Sequence, residues 1–292
     1  GEMNAQSLER LQLEAHLRRA IEERQFRLFY QPQIDLTTGA LVGFEALVRW
    51  QHPDLGLVSP GSFIPLAEET GLIIPMGEWV IDEACRQLSL WQSAGHRVGV
   101  SVNVSATQFA QANFLDRVAE ILAGHTLDPG GLEFEVTETV IMRNAEETVE
   151  TLRKIKQMGV RLSVDDFGTG YSSLSYLKRF PLDKLKIDRS FVLHLPDDED
   201  DAIIAQAIMV LAGRLNLSVV AEGVETEAQC AFLLDHGCDM VQGYLFSPPV
   251  PVEQAEELLV AGCSTSSGNL RPGGGRGPHP DRNGAGSPER KL

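Results

Sequence analysis

The sequence predicts an α/β barrel of the (β/α)8, or TIM, type. Eight short β-rich runs recur between residues 26 and 244. Most are separated by long stretches of helical periodicity, the pattern of parallel strands joined by crossovers. Strand after strand also sets one ionisable or amide residue out of phase with its apolar set, near its C-terminal end. That rim is where barrel enzymes carry their sites. A doubly wound open sheet is the runner-up, because strand count does not by itself show closure.

Residues 7–24 place Leu8, Leu11, Leu13, Leu17 and Ile21 at roughly helical spacing after Ser7, a suitable cap. They read as an entry helix, with residues 1–11 a linker or expression remnant leading into it and 12–262 the folded domain. The first strand is FRLFYQPQI (26–34). The second, LVGFEALVRW (41–50), carries Glu45 and Arg49 four apart on one face. A helix over 77–95 leads to VGVSVNV (98–104), where four valines oppose Ser101 and Asn103. In LEFEVTE (132–138), Leu132, Phe134 and Val136 oppose Glu133 and Glu135. After a helix over 144–159, VRLSVDD (160–166) sets Val160, Leu162 and Val164 against Asp165. Asp166 would face away from Asp165 unless the chain turns, and Phe167-Gly168-Thr169-Gly170 supplies a turn. LDKLKID (182–188) sets Leu185 and Ile187 against Lys186, and a helix follows over 197–216. LSVVAE (217–222) ends in Glu222, and DMVQGY (239–244) holds Gln242. Residues 263–292 read as a disordered tail: 7 Gly and 4 Pro fall among the 29 residues from Ser264, with no apolar period.

Charge narrows the function. The 292 residues carry 41 acidic and 25 basic side chains, a net charge of -16. With 43% hydrophobic residues and no apolar run of roughly 18, the chain reads as a soluble globular protein. Duplex DNA and anionic membrane surfaces are held by clustered Lys and Arg, so neither is an expected partner. The four cysteines are scattered and form no CxxC pair, so neither a thiolate zinc site nor a disulfide framework is suggested, and a reducing compartment is the simplest reading.

Gathered at one rim, Glu45, Glu135, Asp165, Asp166 and Glu222 could not all ionise uncompensated, since close like charges and desolvation raise carboxylate pKa values. Divalent cations are the natural compensation. Carboxylates and the amide oxygen of Asn103, without Cys or His, favour hard ions such as Mg²⁺ or Mn²⁺ over Zn²⁺.

These residues stand in blocks that resemble the EAL family of cyclic di-GMP phosphodiesterases. Glu45-Ala46-Leu47 lies within FEALVRW, followed by HPDLGLVSPGSFIPLAEETGLI, NVSATQF, EVTET, DDFGTGYSSLSYL, LKIDRSFV, VAEGVET and QGYLFSPP in family order, over about residues 12–255. The resemblance implies a modified TIM barrel whose first strand runs antiparallel to the rest, and hydrolysis of cyclic di-GMP to linear pGpG by two-metal activation of water. It implies metal ligands at Glu45, Asn103, Glu135, Asp165 and Asp166, two Mg²⁺ or Mn²⁺ ions, and inhibition by Ca²⁺, which prefers more ligands and longer bonds. Lys186 and Glu222 match residues that handle the attacking water, with Glu222 the candidate general base and the reverse assignment open. Gln31, Arg49 and Gln242 match substrate-holding groups, and Glu138 a glutamate that steadies the flexible loop from Asp166 to Leu174. The family further implies a homodimer, a bacterial cytoplasmic location with the parent protein free or anchored at the inner membrane, and an upstream sensory or diguanylate cyclase domain. Ser247-Pro248-Pro249 departs from the commoner Ser-Arg-Pro. The alternative function is a non-catalytic cyclic di-GMP receptor or interaction module; such receptors typically lose metal ligands or the DDFG loop, which are retained here.

Overall fold

A computed structural model describes residues 13–142, 145–169 and 174–261. The linker before the entry helix, the Gly/Pro-rich tail and residues 170–173 of the expected loop lie outside these limits. Among the described residues, no helix is long and apolar enough to cross a membrane.

Residues 13–22 form α1, which buries Leu17 and Ala20. Strand β1 (Phe26–Asp35) pairs antiparallel with β2 (Leu41–His52), setting Gln31 opposite Glu45 and Gln33 opposite Gly43. A short strand that the sequence reading missed, β3 (Gly56–Val58), folds back on the end of β2. Three residues are too few to show a period. The turn between them is held by His52, whose Nδ1 accepts from the backbone N–H of Asp54 and Leu55, both at 3.1 Å. Helices α2 (Pro60–Thr70) and α3 (Ile73–Ser93) follow. Val80, Ile81, Ala84, Leu88 and Trp91 of α3 recur at helical spacing and are buried in the main core.

The remaining strands are β4 (Gly99–Asn103), β5 (Leu132–Thr137), β6 (Arg161–Phe167), β7 (Lys184–Ile187), β8 (Ser218–Ala221) and β9 (Met240–Gln242). From β2 through β4 to β9 each pairs parallel with the next. Between them lie α4 (Ala106–Phe109) and α5 (Phe114–Ala123), then α6 (Glu138–Met142) and α7 (Ala145–Gln157), then α8 (Leu174–Leu177), α9 (Glu199–Leu215) and α10 (Glu227–Asp235), with α11 (Val252–Ala261) last. Helix α9 starts where the Asp198 side chain accepts from the N–H of Asp200 and Asp201, and stops at Asn216 in the left-handed region, φ 57°.

β1 pairs with both β2 and β9, antiparallel to each. The sheet therefore closes into an eight-stranded barrel with β3 as an appendage, and the open-sheet alternative falls. The period of two sends Phe44, Val100, Val102, Phe134, Leu162, Val164, Leu185 and Ile187 outward into the core shared with the helices. Inward go Gln33, Ser101, Glu133, Glu135, Ser163, Lys184 and Lys186, all buried or nearly so. A TIM barrel interior is usually filled by layers of branched apolar side chains. Here it is polar, and Lys184 pairs with Glu133 inside it at 2.8 Å.

Candidate active site

The site forms where parallel strands end. Lys186, on β7, points into the barrel and is 1% exposed. Its Nζ lies 2.5 Å from Glu135 Oε2, 2.5 Å from Glu222 Oε1, 3.4 Å from Asp165 Oδ1 and 3.6 Å from Glu45 Oε2. Carboxylates from β2, β5, β6 and the residue after β8 thus converge on one ammonium. This is the meeting expected from strand phase, with Lys186 at its centre.

Glu45 is held on both oxygens. Asn103 Nδ2 donates to Oε1 at 2.7 Å and Gln242 Nε2 to Oε2 at 2.5 Å. Gln242 Nε2 also donates to Gln31 Oε1 at 3.0 Å, and Gln31 Nε2 to the backbone oxygen of Ser247 at 3.2 Å. Arg49, further along the inward face of β2, donates to the Val48 carbonyl at 2.9 Å and lies 5.6 Å from the centre of the Phe29 ring.

The turn between the two aspartates comes earlier than expected. Asp166 itself adopts φ 54°, and the β6–β7 register slips between Val164 and Phe167. The left-handed residue breaks strict alternation, so Asp166 is not simply turned to the far side of the strand. Its N–H donates to Asp165 Oδ1 at 3.0 Å. Gly168 follows at φ 100°, and its N–H donates to Glu138 Oε2 at 3.1 Å. Glu138 is buried at the start of α6 and so ties that helix to the chain after β6.

Five carboxylates against one ammonium leave an excess of negative charge, and the titration behaviour follows. Burial, then the charge of Glu45, pushes Glu135 well above the ordinary carboxylate range. Burial pushes Glu222 up to about 8 although Lys186 opposes it. Asp166 is raised by burial and by Asp165. At Glu45 burial acts upward, but Lys186 and the donors Gln242 and Asn103 outweigh it and the pKa is lowered. Burial acts downward on Lys186, yet the surrounding carboxylates raise its pKa well above the usual value.

The donor set suits a hard divalent cation. All candidate ligand atoms are oxygens, and Glu135 Oε1 is buried without a hydrogen-bond partner, an acceptor left unsatisfied. Each Glu45 oxygen spends one lone pair on an amide and keeps another. Among the described residues no three His, Cys, Asp or Glu side chains already stand as a finished cage, so the fit rests on donor chemistry.

Sequence reasoning did not single out Gln33 or the Lys184–Glu133 pair. The signal was available, since Gln33 has the phase of Gln31 and Lys184 that of Lys186.

A sequence model of the family described as "EAL domain" matches residues 14–249. The bifunctional diguanylate cyclase/cyclic di-GMP phosphodiesterase MucR of Pseudomonas aeruginosa is 53% identical over 86% of this chain, and the cyclic di-GMP phosphodiesterase NbdA of the same organism 48% identical over 86%. The matched regions are 37% and 32% of those proteins, so the chain spans about a third of the relatives it matches. The solved structure of PaMucR phosphodiesterase in complex with c-di-GMP superposes with a TM-score of 0.81 at 53% identity, covering 84% of this chain and 99% of that one.

Proposed function

The chain belongs to the EAL domain family, and from that membership we propose that it hydrolyses one phosphodiester bond of cyclic di-GMP to give linear pGpG. The observation that carries the proposal is the convergence of Glu45, Glu135, Asp165 and Glu222 on Lys186 at the C-terminal mouth of the barrel. The names of MucR and NbdA supply the substrate class.

Glu45, Asn103, Glu135, Asp165 and Asp166 are the residues proposed to hold two Mg²⁺ or Mn²⁺ ions. When bound, such ions lower the pKa of water and neutralise charge on the phosphoryl oxygens. The protein's own part begins with Glu222. Its carboxyl, pushed up to about 8 in the metal-free site, would be lowered by the charge of bound cations towards the range in which it accepts a proton near neutral pH. Lys186 donates to Glu222 and holds its orientation. Its raised pKa keeps it charged, without a free electron pair, which favours Glu222 as the base. Arg49, half-buried at the rim, is suited to a phosphate oxygen. Gln31 and Gln242 are suited to hold the substrate; Gln242 also restrains Glu45 directly, and Gln31 acts on Glu45 only through Gln242.

In a cytoplasmic parent with sensory or cyclase domains, this activity would lower the second messenger. Homodimerisation and Ca²⁺ inhibition, by the longer-bonded and more highly coordinated ion, belong to the same proposal.

Chromatography of cyclic di-GMP incubated with residues 3–263 tests the reading, with Mg²⁺, Mn²⁺, Ca²⁺ or chelator and beside Glu45→Ala and Glu222→Ala. The expected result is pGpG with Mg²⁺ or Mn²⁺ only, reduced at least about 100-fold by Glu222→Ala, on the order of the loss of a positioned proton-transfer group, and abolished by Glu45→Ala through loss of a proposed metal ligand. Tight binding without product in any metal would replace the enzyme by a receptor.

A further inference from the structure

Gln242 reaches Glu45 through an amide whose direction something must set. The two ends of a carboxamide are nearly equal in size, so shape does not decide which one faces a neighbour; hydrogen-bond partners do. As placed, Nε2 faces the Glu45 carboxylate and Gln31 Oε1, while Oε1 accepts from Gln33 Nε2 at 3.1 Å. Reversed, an amide oxygen would face a carboxylate oxygen, two acceptors with no proton between them. Gln31 has its own direction imposed by the Ser247 carbonyl, which accepts only. Gln33 supplies the second input, from below.

We propose that Gln33 is a positioning residue for Glu45: its side-chain N–H, given to Gln242 Oε1, turns the Gln242 amide so that its own N–H groups restrain the Glu45 carboxylate. The arrangement follows from barrel closure. Antiparallel β1 sets Gln33 across from Gln242 on β9 and across from Gly43 on β2. A Cβ at Gly43 would meet the Gly99 carbonyl at 3.1 Å, tighter than ordinary contact, and would lie at ordinary contact distance, 3.5 Å, from Gln33 Oε1. On its other side Gln33 Nε2 lies 3.5 Å from Ser101 Oγ, the outer limit of a hydrogen bond. Gln33 and Ser101 also line a cavity of about 310 Å³ at the opposite, N-terminal mouth. The chain from Ser101 through Gln33 and Gln242 to Glu45 therefore runs along the barrel interior from one mouth toward the other.

The inference takes its metal readout from the proposed function, and its structural readout does not depend on it. Gln33→Met keeps the length of the side chain and removes the donor. Ser101→Ala disturbs the same neighbourhood but leaves the bond from Gln33 to Gln242. Calorimetric titration with Mn²⁺ is expected to show affinity weakened roughly tenfold in Gln33→Met, the order found for groups that orient metal ligands, and within twofold of wild type in Ser101→Ala. Unchanged Mn²⁺ affinity in Gln33→Met, or an equal loss in Ser101→Ala, would overturn the proposal, the latter by showing a general packing effect. A wild-type protein that binds no Mn²⁺ would instead sink the metal reading. In that case a crystal structure of Gln33→Met decides the inference alone: a Gln242 amide released from Glu45 supports it, and an unmoved one overturns it.

Discussion

Lys186 has to satisfy several carboxylates at once, and the consequence is a pH dependence of known sign. Glu222 titrates near 4.3 in an unfolded chain and at about 8 in the folded one. Below the lower value both states hold the proton, and the stabilisation is complete. As pH rises through the window the unfolded chain releases its proton first, so stability falls, and it levels off above about 8. Glu135 and Asp166, also raised, act in the same direction. Urea unfolding of chelator-treated protein should therefore give a lower midpoint at pH 8 than at pH 5, and Glu222→Gln should show a distinctly smaller difference. Equal differences in the two proteins would mean that Glu222 does not hold its proton in the folded state.

At the scale of elements, the connection from β6 to α6 matters most. Glu138 begins a five-residue helix and accepts from Gly168, two residues beyond Asp166. Gly168 stands at φ 100°, a conformation that L side chains rarely adopt, so its N–H is presented by a backbone shape only glycine takes readily. Loss of the acceptor would free the chain that carries Asp165 and Asp166 without touching either side chain. Glu138→Ala is expected to raise the Mg²⁺ concentration for half-maximal activity roughly tenfold, as for other supports of metal ligands, and to lower turnover, while the far-ultraviolet circular dichroism stays native. Kinetics unchanged at limiting Mg²⁺ would remove Glu138 from the site.

For the whole molecule, the polar barrel interior sets the energetics. Glu133 and Lys184 sit inside it with side chains 5% and 14% exposed. Breaking a buried pair on one side strands a charge, at a cost of about 3–5 kcal/mol, whereas an apolar pair of similar volume is often neutral or stabilising. Glu133→Leu and Lys184→Met should each lose about that much in urea unfolding, and the double variant should recover most of it. Additive losses would show that the pair is not the interaction that matters there. The site end of the barrel has no such apolar substitute, because its carboxylates serve the proposed chemistry.

The sequence by itself determined the alternation of strands and helices, the inward phase of Glu45, Asn103, Glu135, Asp165, Lys186 and Glu222, and the family. Those features are written in local periods of two and in contiguous motifs, which need no knowledge of distant neighbours. Strand patterning left closure open; the family resemblance implied it, and the tertiary structure showed it. β1 pairs with strands that begin 6 and 205 residues after it ends, and a single-strand pattern cannot encode a partner. Only the tertiary structure decided that Lys186 sits among the carboxylates, that Asp166 turns at its own φ, and that Gln33 meets Gln242. Each of these depends on which strand lies beside which, and on the register between them, because a side chain's partner inside a barrel comes from a different part of the chain.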